Sequence, residues 1–154
     1  MSSNGTELID VVLVNLPVED FRRSQQHHDA LLREFALVSV GADTGDDTVP
    51  RRLLALVREL SAKFGGFSEE PETRLRDAVE NKVANIDLQF WVPAAAKDAA
   101  IALGRLLDEA DDFCRRGELL TLQAPADVHA FRVRYLEEFI RQIDGEAPRP
   151  WPQA

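Results

Sequence analysis

Cysteine is nearly missing from this chain of 154 residues: Cys114 stands alone. An intrachain disulfide is therefore excluded, and a reducing compartment is the expected setting. Positive charge is short as well, with 18 Lys and Arg against 27 Asp and Glu and a net charge of −9. That balance argues against nucleic acid and against anionic membrane surfaces, both of which need clustered positive charge. The arginine pairs Arg22-Arg23, Arg51-Arg52 and Arg115-Arg116 each have acids close by and read as solvated faces. Long apolar runs are lacking too. The densest, around Val11 to Val14, falls far short of the ~20 residues of a membrane helix. The opening MSSNGTELID has no basic region followed by an apolar stretch, so no signal peptide is expected. These absences together predict a cytoplasmic protein.

Motifs that bind nucleotides or activate nucleophiles are missing from the sequence. It contains no P-loop, no G-x-G-x-x-G and no G-x-S-x-G elbow. No cofactor and no metal is called for.

What is present is a clear alternation of periods. LIDVVLVNL, residues 8–16, is a dense β-branched run that predicts a strand in a central position. After Pro17 the period becomes helical, with Val18, Phe21, His28, Leu31, Leu32 and Phe35 on one stripe. The acidic, glycine-bearing SVGADTGDDTV reads as a loop, and Leu53, Val57, Leu60 and Phe64 mark a second helix stopped by Gly65-Gly66. Ser68 caps a third helix whose carboxylates crowd its first turn. In NIDLQFWVP, Ile86, Leu88, Phe90 and Val92 alternate with Asp87, Gln89 and Trp91, a strand with one wet face. A long helix follows to Arg116, then GELLTLQAP as a third strand, and a last helix from Pro125 to Gly145. The expected fold is α/β: a small, mainly parallel three-stranded sheet with five helices, in the order β-α-α-α-β-α-β-α. Strand one is central, the helices lie mostly on one face, and the last strand-helix-strand unit has the length of a right-handed parallel crossover. Residues 1–145 form one α/β domain, and 146–154 a proline-rich, polyproline-like tail.

The histidine pair in SQQHHDALLREF invites chemistry. Neighbouring helical residues point about 100° apart, so one zinc ion cannot easily take both His27 and His28. His28-Asp29 with a leucine two places later resembles the phosphoacceptor helix of some sensor kinases, which needs either an ATP-binding partner domain in the chain or a response regulator to hand off to. Asn81 lies on a helix of the right kind, but Asp43-Thr44-Gly45 precedes it where a glycine-rich nucleotide segment should follow. His28 reads instead as a half-buried member of its stripe. Asp43, Asp46 and Asp47 suggest calcium, yet the twelfth position counted from Asp43 is Leu54, where a bidentate glutamate belongs. Cys114 at a helix C-terminus reads as a quiet buried thiol. His129 stands alone.

Two features point to binding. Trp91 lies on the wet side of the second strand with Asp87 and Gln89, and Trp151 sits between Pro150 and Pro152 in the tail. Each either packs on its own chain or anchors a protein partner. The sequence thus predicts a non-enzymatic regulatory or adaptor protein that works by protein-protein contact, with a homodimer as one form, through Trp91, Gln89, Asp87 and Trp151. Two other readings stay open: a phosphoacceptor or enzyme centred on His28, and a small-ligand sensor with a pocket between the sheet and the acidic loop.

The segments QQHHDALLREFALV, AKFGGFSEEPETRLRDAV, LGRLLDEADDFCRRGELLTLQAP, FRVRYLEEFIRQI and PRPWP resemble a family of small actinobacterial proteins. The likeness spans most of the chain, and LLDEADDFCRRGELLTL with the PWP tail is its most specific part. That family is associated with gene neighbourhoods of ATP-binding anti-sigma regulators and serine phosphatases. The resemblance implies an accessory in phosphorylation-dependent partner switching, with an anti-sigma regulator or a phosphatase as partner. It supplies no catalytic residues.

Overall fold

The computed structural model describes residues 7–41, 49–67, 69–117 and 122–152. Strand β1, Leu8–Pro17, runs without a loop into helix α1, Val18–Gly41. Helix α2, Val49–Phe64, ends in a 3-10 turn at Gly65–Phe67, and α3, Glu69–Glu80, leads into strand β2, Asn85–Pro93. Helices α4, Ala96–Arg116, and α5, Ala126–Ile143, complete the order.

The five helices stand where the sequence periods put them; the expected sheet does not. β1 and β2 pair antiparallel in a two-stranded sheet, so the mainly parallel three-stranded arrangement is corrected. Residues 118–121 of the expected third strand lie outside the described residues, and Leu122 to Pro125 form a turn rather than a strand. A physical reason is visible at the outer edge of β1. The Gln142 side chain from α5 accepts a hydrogen bond from the Val12 N–H at 2.8 Å and donates to the Val12 carbonyl at 2.9 Å. The Trp151 N–H donates to the Val14 carbonyl at 2.9 Å. One amide side chain and the Trp151 N–H thus satisfy three of the backbone groups that a third strand would have paired.

Register is broken by a bulge between Leu13 and Leu16, where Asn15 adopts φ +60°. Asparagine tolerates this left-handed conformation better than most residues. Asn15 is also tied on three sides. Its N–H donates to Asp87 Oδ1 at 2.8 Å, its Nδ2 to the Trp151 carbonyl at 2.8 Å, and its carbonyl accepts from Asn85 Nδ2 at 3.1 Å.

Two apolar clusters fill the interior. Beneath the sheet, Val11, Leu13, Leu16, Leu88, Phe90 and Val92 meet Leu75 of α3, Phe131 of α5 and Trp151. Further along α1, Leu31 and Phe35 pack with Leu53 of α2 and Leu106, Ala110 and Cys114 of α4. The tail is docked rather than free. Trp151 is buried, its ring centroid lies 5.9 Å from that of Phe131, and the Arg134 guanidinium sits 5.1 Å above it. None of the described helices is long and apolar enough to cross a membrane.

Candidate functional site

Between the two clusters the packing opens. A cavity of ≈ 200 Å³ lies under β2, walled by Phe21, Leu88, Phe90, Leu103 and Phe131. An adjoining hollow of ≈ 330 Å³ toward α2 shares His28, Glu72, Phe90, Leu103, Tyr135 and Leu136 with it. Helical spacing delivers the polar residues: His28 lies seven after Phe21 on α1, and Tyr135 four after Phe131 on α5, so both share the stripes that face the core.

The chemistry of these groups follows from their surroundings. Burial holds the His28 imidazole below the usual histidine range, against the opposing pull of Asp29, so the neutral ring is favoured. Burial, followed by the charge of Glu72, pushes the Tyr135 phenol up, so the hydroxyl keeps its proton. The Tyr135 and His28 side chains are half-buried in the cavity wall. Glu72, exposed at the rim, sets a negative charge at the mouth. The arrangement offers a neutral donor and acceptor inside an apolar space, with no activated nucleophile beside them.

His27 is directed elsewhere: its Nε2 lies 2.6 Å from the Leu122 carbonyl and ties α1 to the α4–α5 connection. His129, Asp108 and Asp111 are the one grouping of metal-ligand type among the described residues. A cation already sits there, since Arg132 donates to Asp108 Oδ1 at 2.9 Å and to Asp111 Oδ2 at 3.0 Å. A metal ion would have to displace that guanidinium against direct charge repulsion. Asp43, Asp46 and Asp47 lie outside the described residues. Cys114 is fully buried, and burial, helped by Asp111, pushes its thiol up to about 11.

The predicted binding residues part company. Asp87, Gln89 and Trp91 are together on the outer face of β2, and Trp91 is 49% exposed. Gln89 Nε2 donates to Asp10 Oδ1 at 2.8 Å across the strand pair. Trp151 is 7% exposed and belongs to the core. The backbone adds a feature that the side-chain pattern does not announce. Because both polar groups of Val12 point away from β2 to Gln142, Val12 and its partner Gln89 form a non-hydrogen-bonded pair. The N–H and C=O of Gln89 therefore point outward from the opposite edge, as do those of Trp91 two residues on. No hydrogen bond from the described residues reaches them.

No protein-family model, curated protein or solved structure matches the chain.

Proposed function

We propose that this protein is a non-enzymatic regulatory or adaptor subunit that captures a protein partner along the free edge and outer face of β2. The outward backbone of Gln89 and Trp91, met by no hydrogen bond from the other described residues, lies beside a half-exposed indole and carries the reading. An open edge is a template for an added strand, main-chain hydrogen bonds supplying affinity and a large aromatic the anchor. Natural edges are usually blunted by lysine, proline or a bulge; between Ile86 and Val92 this one carries a single charge, Asp87. The resemblance noted above favours an anti-sigma regulator or a serine phosphatase as the occupant. A second copy of the chain is the alternative occupant. Support for a phosphoacceptor at His28 is weaker, because the ring faces an interior cavity rather than a surface that a kinase domain could approach.

The test is direct binding between the purified chain and a purified anti-sigma ATPase and serine phosphatase from an actinobacterium, with self-association measured in parallel. Trp91→Ala should weaken capture by about thirtyfold, as truncation of an anchor worth about 2 kcal/mol does. Gln89→Pro removes an outward N–H and should do likewise. If both variants bind partners and themselves as the parent does, the surface is misplaced.

A further inference from the structure

We propose that the cavity beneath β2 binds a small uncharged aromatic molecule carrying one hydroxyl or ring N–H, of the size of phenol or indole. This goes beyond the adaptor reading and does not depend on it.

Shape comes first. The space is a half-open cavity of ≈ 200 Å³, and its apolar walls are Phe21, Leu88, Phe90, Leu103 and Phe131. An apolar cavity of about 150 Å³ already accepts benzene. The hollow that continues it past Leu103 and Leu136 leaves room for a second ring.

Polarity selects within that class. Tyr135 and His28 both line this space. Both side chains are half-buried, so a polar group on an entering ligand can meet them there. Neutral imidazole and protonated phenol can each donate one hydrogen bond and accept another, which suits a hydroxyl or an indole N–H. Charge narrows it further. Glu72 at the mouth repels anions, and the nearby Arg132 guanidinium is already taken by Asp108 and Asp111. A cation would meet apolar walls and the desolvation cost of entering them.

The cavity and the partner surface share one strand. Leu88 and Phe90 face the cavity while Gln89 and Trp91 face outward, so occupancy and partner capture act on the same nine-residue element.

The experiment uses the full chain with phenol, indole, benzylamine and benzoate as probes, read by thermal shift and by methyl chemical shifts of Leu88, Leu103, Leu107 and Leu136. Phenol and indole at millimolar concentration should raise the melting temperature, as any native-state ligand must. Their methyl shifts should be confined to the cavity, while benzoate and benzylamine leave both readouts unmoved. Tyr135→Phe keeps the ring and should weaken phenol about three- to tenfold, the loss of one neutral hydrogen bond. Leu103→Phe fills the space and should abolish binding; if that variant does not fold, the methyl map of the parent decides. Absence of any shift with phenol and indole, shifts scattered over the surface, unchanged affinity in Tyr135→Phe, or preferential binding of a charged probe would each overturn the proposal.

Discussion

Replacing Glu138 with glutamine tests how the tail is held. The carboxylate is 1% exposed and accepts four hydrogen bonds: from the Arg149 N–H at 3.0 Å, Arg149 Nε at 2.8 Å, Arg141 Nη1 at 2.9 Å and Gln142 Nε2 at 3.1 Å. Burial opposes its charge, but these bonds outweigh it and hold the carboxyl below the usual glutamate range. Glutamine keeps the shape, removes the charge and turns an NH₂ toward a ring of donors. Breaking a fully buried ion pair costs about 3–5 kcal/mol. Arg149 is 42% exposed and water recovers part of its loss, so about 2–4 kcal/mol is expected. In a chain of this size each kcal/mol moves the midpoint by about 2–4 °C, so melting should fall by roughly 5–15 °C. Because Gln142 also pairs with Val12, the loss should reach the outer edge of β1 and loosen Trp151. In a Trp91→Phe background the emission of Trp151 should therefore shift to the red before the main transition. The sign of the pH dependence is fixed by the lowered value. The stabilisation is complete above the unfolded glutamate value of about 4.3 and is lost as pH falls through the folded value, so parent and variant should converge in acid. A variant that melts within about 2 °C of the parent at pH 7, or a gap that does not narrow as pH is lowered below that unfolded value, would refute the reasoning.

Asn15→Ala removes the bond to the Trp151 carbonyl and places a less tolerant residue at φ +60°; the expected cost is about 2 kcal/mol. Asn15→Gly keeps the conformation and loses only the bond, so its thermal melt should fall between the two. Cys114, with its thiol pushed up to about 11, should resist alkylation at pH 8 and react at an ordinary rate once denaturant is added; rapid labelling of the native chain would show that the α4 core opens.

Helices were legible because a packed stripe repeats every three or four residues whatever it packs on. Phe21, Leu31 and Phe35 mark α1, and Val128, Phe131, Tyr135 and Phe139 mark α5. The direction and number of strands were not legible. LIDVVLVNL reads as a central strand since both of its faces are apolar, but in a two-stranded sheet β1 has no second strand beside it, and only Val12 and the Val14 carbonyl are met on its outer edge. The partner of Val12 is the amide of Gln142, 130 residues away, and no local period records a side chain acting as a strand. The alternating leucines of GELLTLQAP suggested a third strand, but Leu122 packs with the α1–α2–α4 cluster and the Ala124 N–H donates to Asp111 Oδ1 at 3.1 Å. Periodicity finds apolar residues and cannot say what covers them.

The same limit explains the candidate site. His28 was visible on its stripe, and so was the wet face that carries Trp91. Tyr135 shares the helical spacing of the core aromatics Phe131 and Phe139, and Glu72 is one of several acids in the first turn of α3. A signal for Glu72 does exist, since it stands three residues before buried Leu75 and directly after buried Pro71, on the flank of the inward face. The free edge of β2 had no sequence signal of its own. It follows only from the hydrogen bonds of Val12, which fix the parity of the whole pair and so decide which backbone groups of Gln89 and Trp91 look outward. A substitution at Gln142 should therefore test more than stability. Without its amide the N–H and carbonyl of Val12 lose their partner, and the outer edge of β1 becomes a place where a strand can add.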